Sequence, residues 1–225
     1  MRRAQPQHTR RLLDFGLLTL LGALLGARAF YVALHGVYFS TRPLEALQFW
    51  QGGLAWPGAA AGVLLALVII SLVRQLSLAT LADGLSPLLG PLAIGLWLGC
   101  WQAGVEYGQA LSNASLGIPT VDEAGVVSLR VPLQMLCALG LLTYLWAVDR
   151  GLAALDGKRN YPGLRAALFS LGLGLDLLVA ELQRADPVPY WNGQSVDTWC
   201  ALALIGLSLL GVLASLVKLR RRSLS

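Results

Sequence analysis

The stretch Leu85–Val105, LSPLLGPLAIGLWLGCWQAGV, carries no ionisable side chain across 21 residues. At 1.5 Å per residue, a helix of that length is about 30 Å long, the thickness of the hydrocarbon core of a bilayer. Leu133–Val148 and Thr198–Val217 are uncharged in the same way. Over all 225 residues, 56% are hydrophobic and only 13% charged. A soluble helical bundle needs more polar surface than this, so the chain reads as an all-α integral membrane protein.

Working outward from that stretch, six segments are apolar and long enough to cross: Leu12–Leu34, Gly53–Val73, Pro87–Gly104, Pro132–Val148, Gly163–Leu182 and Thr198–Val217. Pro87 and Pro91 predict a kinked start to the third. Between the first two, GVYFSTRPLEALQFWQ (Gly36–Gln51) is too short and polar to span. Its Leu44, Leu47, Phe49 and Trp50, set around Glu45 and Gln48, predict a short amphipathic helix lying at the interface and starting near Pro43. No internal repeat, low-complexity tract or linker divides the chain, so residues 1–225 read as one membrane domain: a basic tail over 1–11, a helical body over 12–217 and a second basic tail over 218–225.

Lysine and arginine are retained on the cytoplasmic side of short loops. With the N-terminus inside, Arg2, Arg3, Arg10, Arg11, Arg74, Arg150, Lys158, Arg159, Arg165, Lys218, Arg220, Arg221 and Arg222 are cytoplasmic, whereas only Arg42, Arg130 and Arg184 lie outside. Both termini are therefore expected in the cytoplasm. The first segment follows arginines as a signal peptide would, but it is too long for one and lacks an A-x-A cleavage pattern, so it reads as a retained helix. The outer loops Val105–Arg130 and Arg184–Asp197 hold most of the irregular polar sequence, the second offering Tyr190 and Trp191 to the headgroups. A site, if present, is expected on that side.

Composition also excludes several functions. The net charge of +5 is concentrated at segment ends rather than in a stripe interleaved with aromatics, which fits a membrane surface and not nucleic acid. Cys100, Cys137 and Cys200 each lie in an apolar run without C-x-x-C spacing, so they read as packing residues, with no metal and no cofactor expected. Gly22, Gly26, Gly172 and Gly174 read as close helix contacts, because no strand precedes them to make a dinucleotide loop. Nothing in the sequence shows the paired broken helices of a small transporter.

Several fragments in order resemble the bacterial phosphatidylglycerol:prolipoprotein diacylglyceryl transferase family. They are GARAFYV (Gly26–Val32), PLEALQFWQGG (Pro43–Gly53), ADGLSP (Ala82–Pro87), GLWLGCWQAGVEYG (Gly95–Gly108), RVPLQMLC (Arg130–Cys137), ELQRAD (Glu181–Asp186) and Gly193–Gln194. The resemblance implies an all-helical body with a lipid cavity open to the outer leaflet of the bacterial inner membrane. It also implies transfer of a diacylglyceryl group from phosphatidylglycerol to a lipobox cysteine thiol. Such chemistry needs a base near the thiol and cations on the departing glycerol phosphate.

Measured against that resemblance, the losses are specific. In GGLAWPGAAAG (Gly52–Gly62), Pro57 stands where the family motif has a histidine. Trp97 and Leu177 fall where it has arginines, and Val131, Leu136 and Cys137 replace a His, a Tyr and a Glu. Neither tryptophan nor leucine can make a bidentate hydrogen bond to phosphate. His35, at the outer end of the first span, is the candidate replacement base. The retained Arg28, Asp83, Glu106, Glu181, Arg184 and Gln194 are the candidates for lipid or headgroup binding. Asp176 is an addition in the fifth span; it reads as the ion-pair partner of Arg28, with a proton relay as the alternative. The expected function is that of a catalytically degenerate, lipid-binding or accessory subunit whose partners are a phosphatidylglycerol-like lipid and other membrane proteins. An active transferase with a rewired site is the competing expectation.

Overall fold

The computed structural model describes residues 6–112, 117–122, 124–155 and 161–223. Arg2, Arg3, Lys158 and Arg159 of the charge pattern lie outside them. Among the described residues, six helical segments are long and apolar enough to cross a membrane, beginning with α1, Pro6–Leu34. After it come a short α2 (Gly36–Thr41) and α3 (Trp56–Arg74). The third span is α4 (Leu78–Leu85) and α5 (Leu89–Ala103), joined by a 3-10 turn at Ser86–Leu88, so the α-helix is interrupted at Pro87. It starts a full helix earlier than the sequence predicts, because Leu81 and Leu85 are buried with Phe15 and Ile70. The last three spans are α6 (Leu133–Leu155), α7 (Leu164–Gln183) and α8 (Val196–Ser223).

Two features differ from expectation. The segment after Arg42 is not one amphipathic helix but two 3-10 turns, Pro43–Leu47 and Phe49–Gln51, with α2 placed before them. The loops also contain two antiparallel hairpins: β1 (Ile118–Val121) with β2 (Val127–Arg130), and β3 (Tyr190–Trp191) with β4 (Gln194–Ser195). The chain gathers into two compact units, residues 1–85 and 86–225, dividing inside the third span.

In the first unit, α1 and α3 pack through small residues. Gly22 and Gly26 on α1 face Gly58 and Gly62 on α3, each pair spaced four apart so as to share one helix face. A Cβ at Gly22 would sit 2.8 Å from both the Gly62 carbonyl and the Ala66 Cβ, and one at Gly26 would sit 2.9 Å from the Gly62 Cα. Pro57 opens α3 within its first turn, where its missing N–H costs no helical hydrogen bond. In the second unit, Gly172 meets the Tyr144 ring and Gly174 lies against Ile205, as the sequence predicts for close contacts. Ala93, Leu141, Leu145 and Phe169 form the core between α5, α6 and α7.

Candidate functional site

Among the described residues, one polar constellation stands out in each unit. In the first, Arg28 lies on α1 two turns before its end, and its guanidinium is enclosed by carbonyls from the 3-10 turns and the irregular run after them. Nε donates to Ala46 O at 2.8 Å, Nη1 to Gly52 O at 2.8 Å and Gly53 O at 3.1 Å, and Nη2 to Glu45 O at 2.5 Å. The Tyr31 and Phe39 rings lie 5.8 and 5.4 Å from its central carbon. Glycine is required at 53: φ is +71° there, and a Cβ would stand 2.5 Å from Tyr31 Cε1 and 2.8 Å from Arg28 Nη1. Next to this collar is a cavity of about 290 Å³, lined by residues that include Arg28, Tyr31, His35, Tyr38, Glu45 and Gln51.

His35 stacks on Tyr31 with ring centroids 4.1 Å apart, and its Nδ1 lies 2.9 Å from the Tyr31 carbonyl. A carbonyl only accepts, so Nδ1 carries a proton, which in the neutral ring leaves Nε2 as the acceptor. Tyr38 donates its hydroxyl to Glu45 Oε2 at 2.6 Å. Pro57 is buried at the start of α3 and is not among the cavity's lining residues. Asp83 is half-buried on α4, apart from the cavity lining.

The second constellation is centred on Arg184, just after α7. Its Nε and Nη2 hold Asp186 in a fork at 2.8 and 2.5 Å, while Nη1 meets Glu181 at 2.5 Å, Glu106 at 3.3 Å and Asp197 at 3.5 Å. Four carboxylates thus surround one guanidinium. Glu181 and Asp186 are almost wholly buried, their side chains 3% and 2% exposed. The Glu106 segment is held by backbone as well: its own N–H donates to Asp186 Oδ2 at 3.1 Å, and the Ala185 N–H to Tyr107 O at 2.9 Å. Ser195 donates to Glu181 Oε2 at 2.5 Å and accepts from the Thr198 N–H at 2.9 Å, which makes it the N-cap of α8.

Burial pushes the Glu106 carboxyl up to about 7, with Arg184 opposing and the neighbouring Asp186, Glu181 and Asp197 reinforcing the rise. Arg184 is shifted upward overall: burial disfavours its charge, but Asp186, Glu106 and Glu181 together outweigh that. A carboxyl whose folded value lies above its unfolded one near 4.5 binds more protons when folded. Its contribution to stability is therefore full below about 4.5 and is lost as pH rises toward about 7. Melting of the detergent-solubilised protein is expected to fall across that window, and Glu106→Gln is expected to flatten the fall. An unchanged slope in the variant would assign the titration elsewhere.

Of the sequence candidates, the fold brings Glu106, Glu181 and Arg184 together and sets Arg28 beside His35. Gln194 is exposed on β4, and it is its neighbour Ser195 that reaches the cluster. Arg28 and Asp176 each have partners within their own unit. Arg28 is satisfied by carbonyls in its own unit, and Asp176 accepts from Trp97 Nε1 at 3.1 Å and from the Cys137 thiol. Sequence reasoning missed Tyr38, Asp186, Asp197 and Ser195 as site members. The acidic residue two after Arg184 and the Ser-x-x-Thr cap before the last span were the available signals.

Six spans with polar constellations beside them define a multi-pass membrane protein. The family model for prolipoprotein diacylglyceryl transferase matches residues 1–214, and the chain belongs to that family. Among curated relatives, the phosphatidylglycerol–prolipoprotein diacylglyceryl transferase of Bordetella avium is 28% identical over 215 residues, covering 91% of this chain and 76% of the relative. The Rhodospirillum rubrum protein of that name is 33% identical over 178 residues, 74% of this chain and 59% of the relative. That of Bacillus licheniformis is 39% identical over 111 residues, 48% of this chain and 40% of the relative. The chain thus spans between two fifths and about three quarters of the length of these relatives.

Proposed function

We propose that this chain is a non-catalytic prolipoprotein diacylglyceryl transferase homologue, a lipid-binding or accessory component of a membrane assembly, with both termini in the cytoplasm. The observation that carries the reading is where its arginines are spent. Arg28 directs four hydrogen bonds to carbonyls, and Arg184 is surrounded by four carboxylates. Neither offers a phosphate a free fork. Pro57, Trp97 and Leu177, at the positions where the resemblance places a histidine and two arginines, are all buried and have no titratable base or guanidinium. The family points to a phosphatidylglycerol-like phospholipid as partner.

A second reading, active transfer by a rewired site, is favoured by His35, whose free Nε2 belongs to a residue lining a cavity. Purification from the native membrane followed by mass spectrometry separates a lipid-loaded or subunit-associated component from a lone protein. Recovery without lipid or partner subunits would count against the accessory role, and a reporter fused after Ser225 that is active outside would reverse the orientation.

A further inference from the structure

The hairpin β1–β2 turns its apolar side outward. Its cross-strand partners are Pro119 with Leu129 and Val121 with Val127 on one face, and Ile118 with Arg130 and Thr120 with Ser128 on the other. The first face, apolar throughout, is the open one: Pro119, Val121 and Val127 are exposed, Val127 to 63%. The second is turned inward, with Thr120 only 3% exposed. Its charge is neutralised there, since Arg130 pairs with Asp122 at 3.3 Å and lies 4.2 Å from the centre of the Tyr107 ring. The Asp122 carboxylate also accepts from the Ala124 and Val126 N–H groups, which closes the turn at Gly125. A strand pair with one face in water normally alternates the other way, apolar in and polar out.

What covers that face follows from where the hairpin sits. Its tip lies at the end of one span: a Cβ on Gly104, the residue after α5, would stand 3.2 Å from the Val121 carbonyl oxygen and 3.4 Å from that of Asp122. Its base lies at the start of the next, where the N–H of Leu133, the first residue of α6, donates to Val131 O at 2.7 Å. The hairpin is therefore level with the ends of α5 and α6 rather than standing off from them. One turn before Gly104 the side chain of Trp101 is exposed, and tryptophan is the residue type that marks the headgroup layer. A backbone bridge between Gly108 and Arg184 ties this loop to the one carrying β3–β4, whose Tyr190 and Trp191 are exposed at the same end of the second unit. We propose that the outward face of β1–β2 is seated in the bilayer, with Val121 and Val127 at the boundary between headgroups and acyl chains. The partner is a lipid surface held by apolar contact rather than by charge. The inference goes beyond the proposed function: it holds for either orientation of the chain, and whether or not the protein carries out transfer chemistry.

The test uses the full-length protein in phosphatidylcholine nanodiscs. Val127→Cys is labelled with an environment-sensitive thiol dye, and the parent chain, with Cys100, Cys137 and Cys200, supplies the background. Quenching by nitroxides fixed at different depths on the lipid is compared with quenching by iodide in the water. The dye is expected to be quenched best by nitroxides about 5–10 Å into the boundary of headgroups and acyl chains, the depth that interfacial apolar faces reach, and to be shielded from iodide. Val121→Cys, directly across the ladder and also exposed, repeats the measurement should melting show that Val127→Cys disturbs the fold. Adding Val121→Asp to Val127→Cys places a charge on the same face and is expected to restore iodide access and to lose the quenching by lipid. Free access of iodide at both labelled positions would overturn the proposal by leaving the face in water. Shielding from iodide and from every lipid nitroxide would overturn it as well, because a second copy or another protein would then be covering the face.

Discussion

Purified protein incubated with labelled phosphatidylglycerol and a lipobox peptide is expected to form no thiol-linked diacylglycerol at a useful rate, at least about a hundredfold below a curated relative such as that of Bordetella avium. Loss of one acid–base group or one electrostatic clamp commonly costs about that much by itself. Here three positions are affected together, Pro57, Trp97 and Leu177. Losses within one catalytic unit do not multiply, so the expectation stops at a lower bound. Trp97 is 2% exposed, its indole N–H bound to Asp176, and Leu177 is 4% exposed. Product at a rate comparable to the relative's would sink the non-catalytic reading, and loss of that product in His35→Ala would name His35 as the base.

The second large effect is expected at Arg184. Replacing it with alanine removes the cation from among Glu106, Glu181, Asp186 and Asp197 and leaves their charge buried without compensation. Breaking a buried pair in this way typically costs about 3–5 kcal/mol. Denaturation in detergent should show most of that loss. Glu106→Gln combined with Asp197→Asn in the Arg184→Ala background should restore part of it by removing two of the stranded charges. A variant as stable as the parent would mean that the cluster is hydrated and energetically slack.

The spans could be read from the sequence because uncharged runs of about 20 residues have one main use, and the glycine contacts because small residues four apart mark a helix face. The α4 segment was missed at the start of the third span because Asp83 and Pro87 interrupt the apolar run, although Leu81 and Leu85 are buried beside Phe15. Both hairpins escaped, since strands of two to four residues leave almost no periodicity to detect. Within the sites, sequence order could nominate Glu181 and Arg184 but not Glu106, Asp186 and Asp197 as their common neighbours, which depends on backbone bonds such as that from Ala185 to Tyr107. The charge of Arg28 was assigned to Asp176 because a lone intramembrane charge usually seeks its opposite. A collar of carbonyls solves the same problem with dipoles, and nothing in residue identity signals it.

The facing glycines of α1 and α3 also bear on how the protein is made. Their contact joins residues 32 to 40 positions apart and needs nothing beyond Arg74, where α3 ends. Short sequence separation favours rapid assembly, and chains assemble from the N-terminus during synthesis. At about 5–20 residues per second, the rest of the chain takes on the order of ten seconds to emerge. The α1–α3 pair, with the Arg28 collar between its ends, can therefore be closed in the bilayer before the last three spans have been inserted.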